Sequence, residues 1–100
     1  MNFLGFLSSY EWHAGSKLMF YAYIIQSEPY PRQLYVGFTR DLKARLSDHN
    51  SGSNRSTRTG RPWKLAFYAA FERKQEAVAF ETYLKTASGK AFARKRLLPG

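Results

Sequence analysis

The sequence contains no cysteine, and its two histidines, His13 and His49, stand far apart. The missing cysteines exclude a disulfide framework and cysteine-based zinc sites, and the distant histidines do not show the spacing of metal ligands. No apolar run reaches the roughly 18 residues that a membrane-spanning helix needs. With 100 residues, the chain has room for one domain and too little for two. We therefore expect a single domain that is held together by its core.

Acidic residues are scarce as well. Sixteen Lys and Arg stand against seven Asp and Glu, which gives a net charge of +9. The stretch from residue 49 to residue 71 has no acidic residue, and its cations are Arg55, Arg58, Arg61 and Lys64. A second cluster near the end contains Lys90, Arg94, Lys95 and Arg96. This excess favours a polyanionic partner, nucleic acid first and an anionic membrane surface second. Alternatively, the cations only solvate the surface, although such a surface usually mixes both signs.

Hydrophobic residues make up 44% and aromatic residues 17% of the chain, enough for a core despite the small size. Residues 1–17 fit poorly with the rest, and their short apolar part lacks the basic flank of a secretory signal. We interpret residues 1–17 as an N-terminal extension of unknown role. An expression remnant and a segment that packs on the domain remain as alternatives. We place the domain itself at residues 18–98.

Three segments rich in aromatic and β-branched residues predict strands at 18–27, 34–38 and 63–71. The first two are separated by a short turn with two prolines, which predicts an antiparallel hairpin. A helix capped by Thr39 or Asp41 follows and ends near Gly52. Residues 51–62 have no apolar side chain and are predicted to form a mobile loop. Further helices are predicted over 74–87, ending near Ser88 and Gly89, and over 90–98.

Each of the first two helices carries an ionisable residue in or beside its apolar face. Arg45 shares the face of Leu42, Leu46 and His49, and Glu81 lies beside Ala77, Phe80 and Leu84. Arg45 could extend its charged head into water, Glu81 could pair with Lys85, or Arg45 and Glu81 could pair with each other. Together with His49, one turn beyond Arg45, they are more typical of a site, because partly buried charges are costly unless paired or functional.

The tyrosines complete a recognisable pattern. The motif YAY at residues 21–23 and the motif YVG at 35–37 are followed by Arg45, His49 and, in "ETYLK", Glu81. This spacing resembles the GIY-YIG nuclease superfamily, and in particular its small stand-alone bacterial members related to the N-terminal nuclease domain of the bacterial excinuclease. The resemblance covers residues 19–97. It implies an α+β fold, with a three-stranded antiparallel sheet flanked by two to three helices, and metal-dependent hydrolysis of phosphodiester bonds in DNA.

By position, the resemblance implies catalytic roles for Tyr23, Tyr35, Arg45, His49 and Glu81. Glu81 would hold Mg²⁺ (or Mn²⁺), with water and phosphate as the other ligands. Arg45 would bind phosphate oxygens. Tyr23 would take a proton from water, which requires nearby cations to lower its pKa from about 10. His49 is the rival base or the group that polarises Tyr23, and Tyr35 would orient water or phosphate.

Two positions depart from the family pattern, and one matching position has two readings. Tyr21 stands in place of the first glycine of the motif. The asparagine that many relatives carry about a dozen residues after the glutamate is missing after Glu81. Lys90 or Arg94 is the candidate to supply its contact. Gly37, a motif residue, is interpreted first as permitting a turn between strand and helix, and second as letting the DNA backbone approach.

The leading hypothesis is therefore a cytoplasmic, divalent-metal-dependent DNA endonuclease. We expect little intrinsic sequence specificity, because the chain shows no base-reading element. A role in DNA repair or recombination is a further expectation. DNA would contact Arg55, Arg58, Arg61, Lys64, Lys90 and Arg94. We expect a monomer, no membrane association, and a partner protein as a possible means of targeting. The alternatives are a non-catalytic nucleic-acid-binding module on the same fold and a protein-interaction domain whose charge is incidental.

Overall fold

A computed structural model describes residues 18–98 of the chain. The predicted extension, residues 1–17, lies outside the described residues. Two short helical turns lie at Arg58–Gly60 and at Ala93–Leu97. In chain order, the main elements are β1 (Phe20–Ser27), β2 (Leu34–Thr39), α1 (Leu42–Ser51), β3 (Trp63–Phe71), α2 (Lys74–Leu84) and α3 (Ala87–Phe92).

The three strands form one antiparallel sheet in the order β2-β1-β3. β1 and β2 make the predicted hairpin, with Tyr23 opposite Gly37 and Ile25 opposite Tyr35. β3 pairs with the other edge of β1, with an irregularity between Ile24 and Ile25. The α+β architecture that the sequence predicted is therefore confirmed, and β1 lies at its centre while β2 forms an edge.

The two faces of the sheet carry different cores, because successive residues of a strand point to opposite sides. On one side, which we call the tyrosine face, Tyr21, Tyr23 and Ile25 of β1 pack with Leu42 of α1. On the opposite face, Ile24 packs with Leu84 of α2. α1 and α2 therefore lie on opposite sides of the sheet.

Local signals explain the limits of α1. Asp41 is its N-cap residue, and the Asp41 carboxylate accepts a hydrogen bond of 3.0 Å from the Ala44 amide. The Thr39 hydroxyl supports this turn by accepting the Asp41 amide at 3.1 Å. Gly52 ends the helix with φ of 85°, a left-handed conformation that glycine adopts without steric cost. The cap predictions at both ends are confirmed.

The region after α2 differs from the prediction. α2 ends at Leu84, and Thr86 caps a new helix by accepting a hydrogen bond of 3.0 Å from the Gly89 amide. Gly89 was predicted to follow a helix end, but it lies inside α3, where a Cβ would collide with the Tyr83 backbone. The close approach of α3 to the end of α2 explains the glycine. The longest helix among residues 18–98 has 11 residues, and none there could span a bilayer.

Candidate active site

Tyr23 lies at the centre of the predicted site. Its side chain comes from the middle of β1 and is 2% exposed. The Tyr23 hydroxyl makes a hydrogen bond of 2.9 Å with Nε2 of His49, which α1 supplies from above the tyrosine face. A buried hydroxyl needs such a partner, because an unpaired one would lose its hydration without compensation.

Gly37 makes room for Tyr23. Gly37 is buried inside β2, directly opposite Tyr23, and a Cβ at this position would overlap the Tyr23 hydroxyl and ring. The interpretation of Gly37 as a turn residue between strand and helix is wrong, since the strand continues to Thr39 and Gly52 has the positive φ among the described residues. The missing side chain instead lets the tyrosine ring lie across β2, so that its hydroxyl reaches the sheet edge.

α1 places Arg45 and His49 one helical turn apart. His49 is fully buried, and Arg45 is half-buried. Tyr35 of β2 is half-buried too, and its ring meets the His49 ring edge-on with centroids 4.9 Å apart. Four of the five predicted catalytic residues therefore meet on the tyrosine face, and the guanidinium in the apolar stripe of α1 is explained by its position beside Tyr23.

Glu81 approaches from the other side of the sheet. It is half-buried on α2, which contacts both β1 and β2. The Glu81 carboxylate pairs with Lys85 Nζ at 2.8 Å, so that the Glu81–Lys85 pair weighed as an alternative does form. Its negative charge nevertheless acts on Tyr23, as do the Arg45 charge and Tyr35. Tyr23 thus interacts with all four of the other predicted residues.

The environment drives both members of the Tyr23–His49 pair toward neutrality. Burial raises the pKa of Tyr23 to about 12 and outweighs Arg45, which acts in the opposite direction. Burial also lowers the pKa of His49, and the nearby Arg45 charge adds to that effect. Arg45 therefore lowers the pKa of Tyr23, as a tyrosine base would require, but desolvation is the larger effect and the net change is upward. At neutral pH the pair is a phenol and a neutral imidazole.

Two further residues support this pair and were missed in the sequence. Thr57 is fully buried, and its hydroxyl lies 2.8 Å from Nδ1 of His49. Asn50 joins α1 to β3 by accepting the Trp63 amide at 2.6 Å and donating to the Trp63 carbonyl at 3.0 Å. Asn50 could have been noticed as the neighbour of His49, but Thr57 is one of several hydroxyl residues in a polar loop.

The basic loop at residues 51–62 is organised by its own arginines. Nε of Arg58 donates to the Gly52 carbonyl at 2.8 Å, and Nε of Arg61 donates to the Arg58 carbonyl at 2.7 Å. The predicted mobility of this loop finds no support in these contacts or in the burial of Thr57. A guanidinium has five N–H donors, so one internal bond leaves others to bind phosphate. Four cations of this region are exposed, namely Arg55, Arg58, Arg61 and Lys64.

One cleft is lined both by a candidate residue, Tyr35, and by residues of the second basic cluster. Its volume is about 380 Å³, and its lining includes Tyr35, Arg32, Lys90 and Arg94 but no acidic residue. Lys90 and Arg94, the two cations considered as substitutes for the missing asparagine, therefore line the same cleft as a predicted catalytic tyrosine. Both Lys90 and Arg94 are exposed.

Glu81 has the chemistry of a ligand for a metal ion that is shared with a substrate. Within residues 18–98, no three acidic or histidine side chains converge to form an all-protein metal cage. Mg²⁺ usually retains several waters and is held by one or two carboxylates together with substrate phosphates. Glu81 offers a single, half-buried carboxylate of this kind, whose partner in the structure is the exposed Lys85.

Comparison with known proteins shows the family of this chain. Residues 19–96 match the family model of the GIY-YIG catalytic domain. The chain belongs to the GIY-YIG family. A UPF0213 protein of Streptococcus agalactiae is 37% identical over 76 residues, which cover 75% of this chain and 84% of the relative. A UPF0213 protein of Clostridium perfringens is 38% identical over 68 residues, which cover 67% of this chain and 71% of the relative.

Membership of the GIY-YIG family indicates a nuclease-type hydrolase. The relatives' names state a family and no reaction.

Proposed function

We propose that this GIY-YIG protein is a divalent-metal-dependent endonuclease that hydrolyses phosphodiester bonds in DNA with little intrinsic sequence specificity. The observation that carries the proposal is the convergence on Tyr23. Its hydroxyl bonds to His49, and it interacts electrostatically with Arg45, Tyr35 and Glu81. A phenol, an imidazole, a guanidinium and a carboxylate supply a proton acceptor, a phosphate ligand and a ligand for a hard cation.

The Tyr23–His49 pair would remove the proton from the attacking water. Because the pKa of Tyr23 is raised to about 12, mainly by burial, the tyrosine is protonated before reaction. The water oxygen bonds to phosphorus while the water proton moves to the Tyr23 oxygen and the phenolic proton moves to Nε2 of His49. The phosphorus–oxygen bond to the leaving group breaks, and the leaving oxygen keeps the electron pair and takes a proton from solvent.

Arg45, Tyr35 and Glu81 would form the rim at which the scissile phosphate binds. All three are half-buried, whereas Tyr23 and His49 are buried behind them. Arg45 remains charged at any working pH and offers paired donors to two phosphate oxygens. Tyr35 would orient the phosphate or the water. Glu81 would hold Mg²⁺ or Mn²⁺, which when bound supplies positive charge to phosphate oxygens and the leaving group.

DNA would extend from this rim over the two basic surfaces. The cleft lined by Lys90 and Arg94 shares Tyr35 with the site, and the loop that carries Arg55 and Arg58 packs against His49 through Thr57. Such cations bind backbone phosphates without reading bases. A role in repair or recombination, a cytoplasmic location, a monomeric state and a targeting partner stay predictions.

The test is cleavage of linear, nicked, branched and single-stranded DNA with Mg²⁺ or Mn²⁺. We expect Arg45→Ala and Glu81→Gln to lower kcat by about 10²–10³-fold, the scale seen when one group that stabilises transition-state charge is removed. DNA affinity, measured without metal, should stay within about threefold, because the exposed cations supply most of it.

Matched controls come from the same helices. Lys43→Ala and Glu76→Gln remove exposed charges from α1 and α2, and both should cleave as the unaltered protein does. Circular dichroism melts verify that every variant is folded. If the unaltered protein cuts none of the substrates above the level of the Arg45 and Glu81 variants but binds DNA in a salt-sensitive way, the non-catalytic binding module is the correct function. Absence of any salt-sensitive binding would instead favour the protein-interaction domain.

A further inference from the structure

Thr57 is unlike the other hydroxyl residues of its loop. It is fully buried, whereas Ser56 and Thr59 beside it are exposed. Its carbonyl oxygen accepts two hydrogen bonds, one from the Trp63 indole N–H at 2.7 Å and one from the Gly60 amide at 3.2 Å, which fix the backbone at this position. Its hydroxyl lies 2.8 Å from Nδ1 of His49. The loop thus presents one ordered hydroxyl to the ring nitrogen that does not face Tyr23.

A neutral imidazole carries one ring proton, so the two hydrogen bonds of His49 allow two proton arrangements. In the first, Nδ1–H donates to the Thr57 hydroxyl oxygen, and Nε2 accepts the proton of the Tyr23 hydroxyl. In the second, the Thr57 hydroxyl donates to Nδ1, and Nε2–H donates to the Tyr23 oxygen. A phenol is a stronger acid than an alcohol, and an imidazole nitrogen is a stronger base than a phenol oxygen. The first arrangement therefore contains the stronger Tyr23–His49 bond.

We propose that Thr57 is a positioning residue that holds His49 as the Nδ1–H tautomer and thereby keeps the Nε2 lone pair directed at the Tyr23 hydroxyl. The role that this gives Thr57 in catalysis rests on the proposed nuclease function, because only the first arrangement lets Tyr23 pass its proton to His49 when water is deprotonated. The partner of the second ring nitrogen commonly determines the tautomer of a functional histidine.

The first test determines the tautomer of His49 and does not require the protein to be catalytically active. Two-bond ¹H–¹⁵N correlation spectra at neutral pH distinguish a protonated ring nitrogen from one with a free lone pair, and the His49 signals are identified by their loss in His49→Gln. We expect Nδ1 to be protonated and Nε2 to be unprotonated. Thr57→Val keeps the shape of the side chain but removes the hydroxyl, and should shift His49 toward the Nε2–H form. Thr57→Ser should restore the original spectrum.

The second test measures kcat and KM for DNA cleavage. Thr57→Val should lower kcat by roughly 10- to 100-fold, the loss observed when an outer partner of a metal-bound imidazole is removed. KM should stay within about twofold, because Thr57 is buried and would not contact DNA. Thr57→Ser should recover most of kcat. Thr59→Val, at an exposed threonine of the same loop, is the matched control and should change neither reading.

The outcomes separate this inference from the proposed function. A protonated Nε2 in the unaltered protein would overturn the role of Thr57, and so would a Thr57→Val protein that keeps both its tautomer and its kcat. If the predicted tautomer is found and shifts in Thr57→Val while no DNA is cleaved by the unaltered protein, Thr57 positions His49 but the nuclease function is wrong. If Thr57→Val does not fold, the spectrum of the unaltered protein and its preservation in Thr57→Ser decide the matter.

Discussion

His49 illustrates how much a single residue depends on its surroundings. It is fully buried between Tyr23 and Thr57, and burial, followed by the charge of Arg45, lowers its pKa. Its position one turn after Arg45 was readable from the sequence, because residues four apart share a helix face. Its bond to Tyr23 was only one of two roles considered, since no local pattern states which strand residue a helical side chain will meet.

The lowered pKa predicts that acid destabilises the protein through His49. The unfolded chain binds the proton more readily than the folded one, so the stability that neutral His49 contributes is present above about pH 6.5 and is lost as pH falls toward its folded pKa. We expect the free energy of unfolding in urea to fall between about pH 7.5 and pH 5.5, with a slope of at most about 1.4 kcal/mol per pH unit.

His49→Gln provides the comparison for this measurement. The variant should lose stability at neutral pH but should lack the part of the pH dependence that His49 causes. His13 is present in both proteins, so its titration cancels in the difference. Parallel curves for the two proteins across this pH range would contradict the assignment of a buried, neutral His49.

Among the secondary-structure elements, prediction succeeded where the signals are local. β3 spans Trp63–Phe71 as predicted, and the hairpin of β1 and β2 follows from two apolar strands joined by a proline-rich turn. The helix after α2 was predicted three residues too late, because the glycine at position 89 was interpreted as a terminator. Glycine serves there for close packing, and that requirement arises from the contact between α3 and the end of α2.

Gly37 in β2 is a second glycine that close packing requires, and this requirement can be tested. Gly37→Ala should destabilise the protein by about 1–3 kcal/mol, because the new methyl group overlaps the Tyr23 hydroxyl and ring in a buried site. Without that overlap, the substitution would be expected to stabilise by about 0.4–1 kcal/mol through the unfolded chain. Urea unfolding at neutral pH measures the difference.

The control for Gly37→Ala is the same substitution in a Tyr23→Leu background. If Tyr23 is the obstacle, the cost of Gly37→Ala should disappear there, and the double-mutant cycle should give a coupling energy of at least about 1 kcal/mol. Equal costs in both backgrounds would mean that Gly37 is needed for another reason, such as the strand conformation.

At the scale of the whole molecule, the candidate residues come from helices on both sides of the sheet. Arg45 belongs to α1, whose Leu42 packs on the tyrosine face, and Glu81 belongs to α2, whose Leu84 packs on the opposite face. The two charges still act on one hydroxyl, because Tyr23 lies across the glycine of an edge strand. Cations surround this site in the loop after α1 and in the cleft beside Tyr35.

The distribution of charge predicts how DNA binding responds to salt. Log Kd for a short duplex should rise linearly with log salt concentration, and each phosphate contact contributes about 0.9 to the slope. Arg55→Ala and Lys90→Ala, which remove exposed cations from the loop and from the cleft, should each lower the slope by about that amount. Fluorescence anisotropy at several salt concentrations provides the measurement.

Lys74→Ala, an exposed cation at the start of α2, serves as the control for this measurement. It should leave the slope unchanged, since Lys74 belongs to neither basic surface. A slope that falls equally in all three variants would show that net charge, rather than the two surfaces, governs binding.

The sequence alone determined the strands, the caps of α1, the excess of cations and the spacing of the five candidate residues. These features are local or additive, so they survive without knowledge of the fold. Tertiary structure alone decided that Tyr23, 26 residues before His49, lies over Gly37 and bonds to that histidine. It also decided that Thr57 holds the far side of the ring and that the pKa of Tyr23 rises to about 12 through burial. Desolvation depends on every group packed around a side chain, and distant parts of the chain supply those groups.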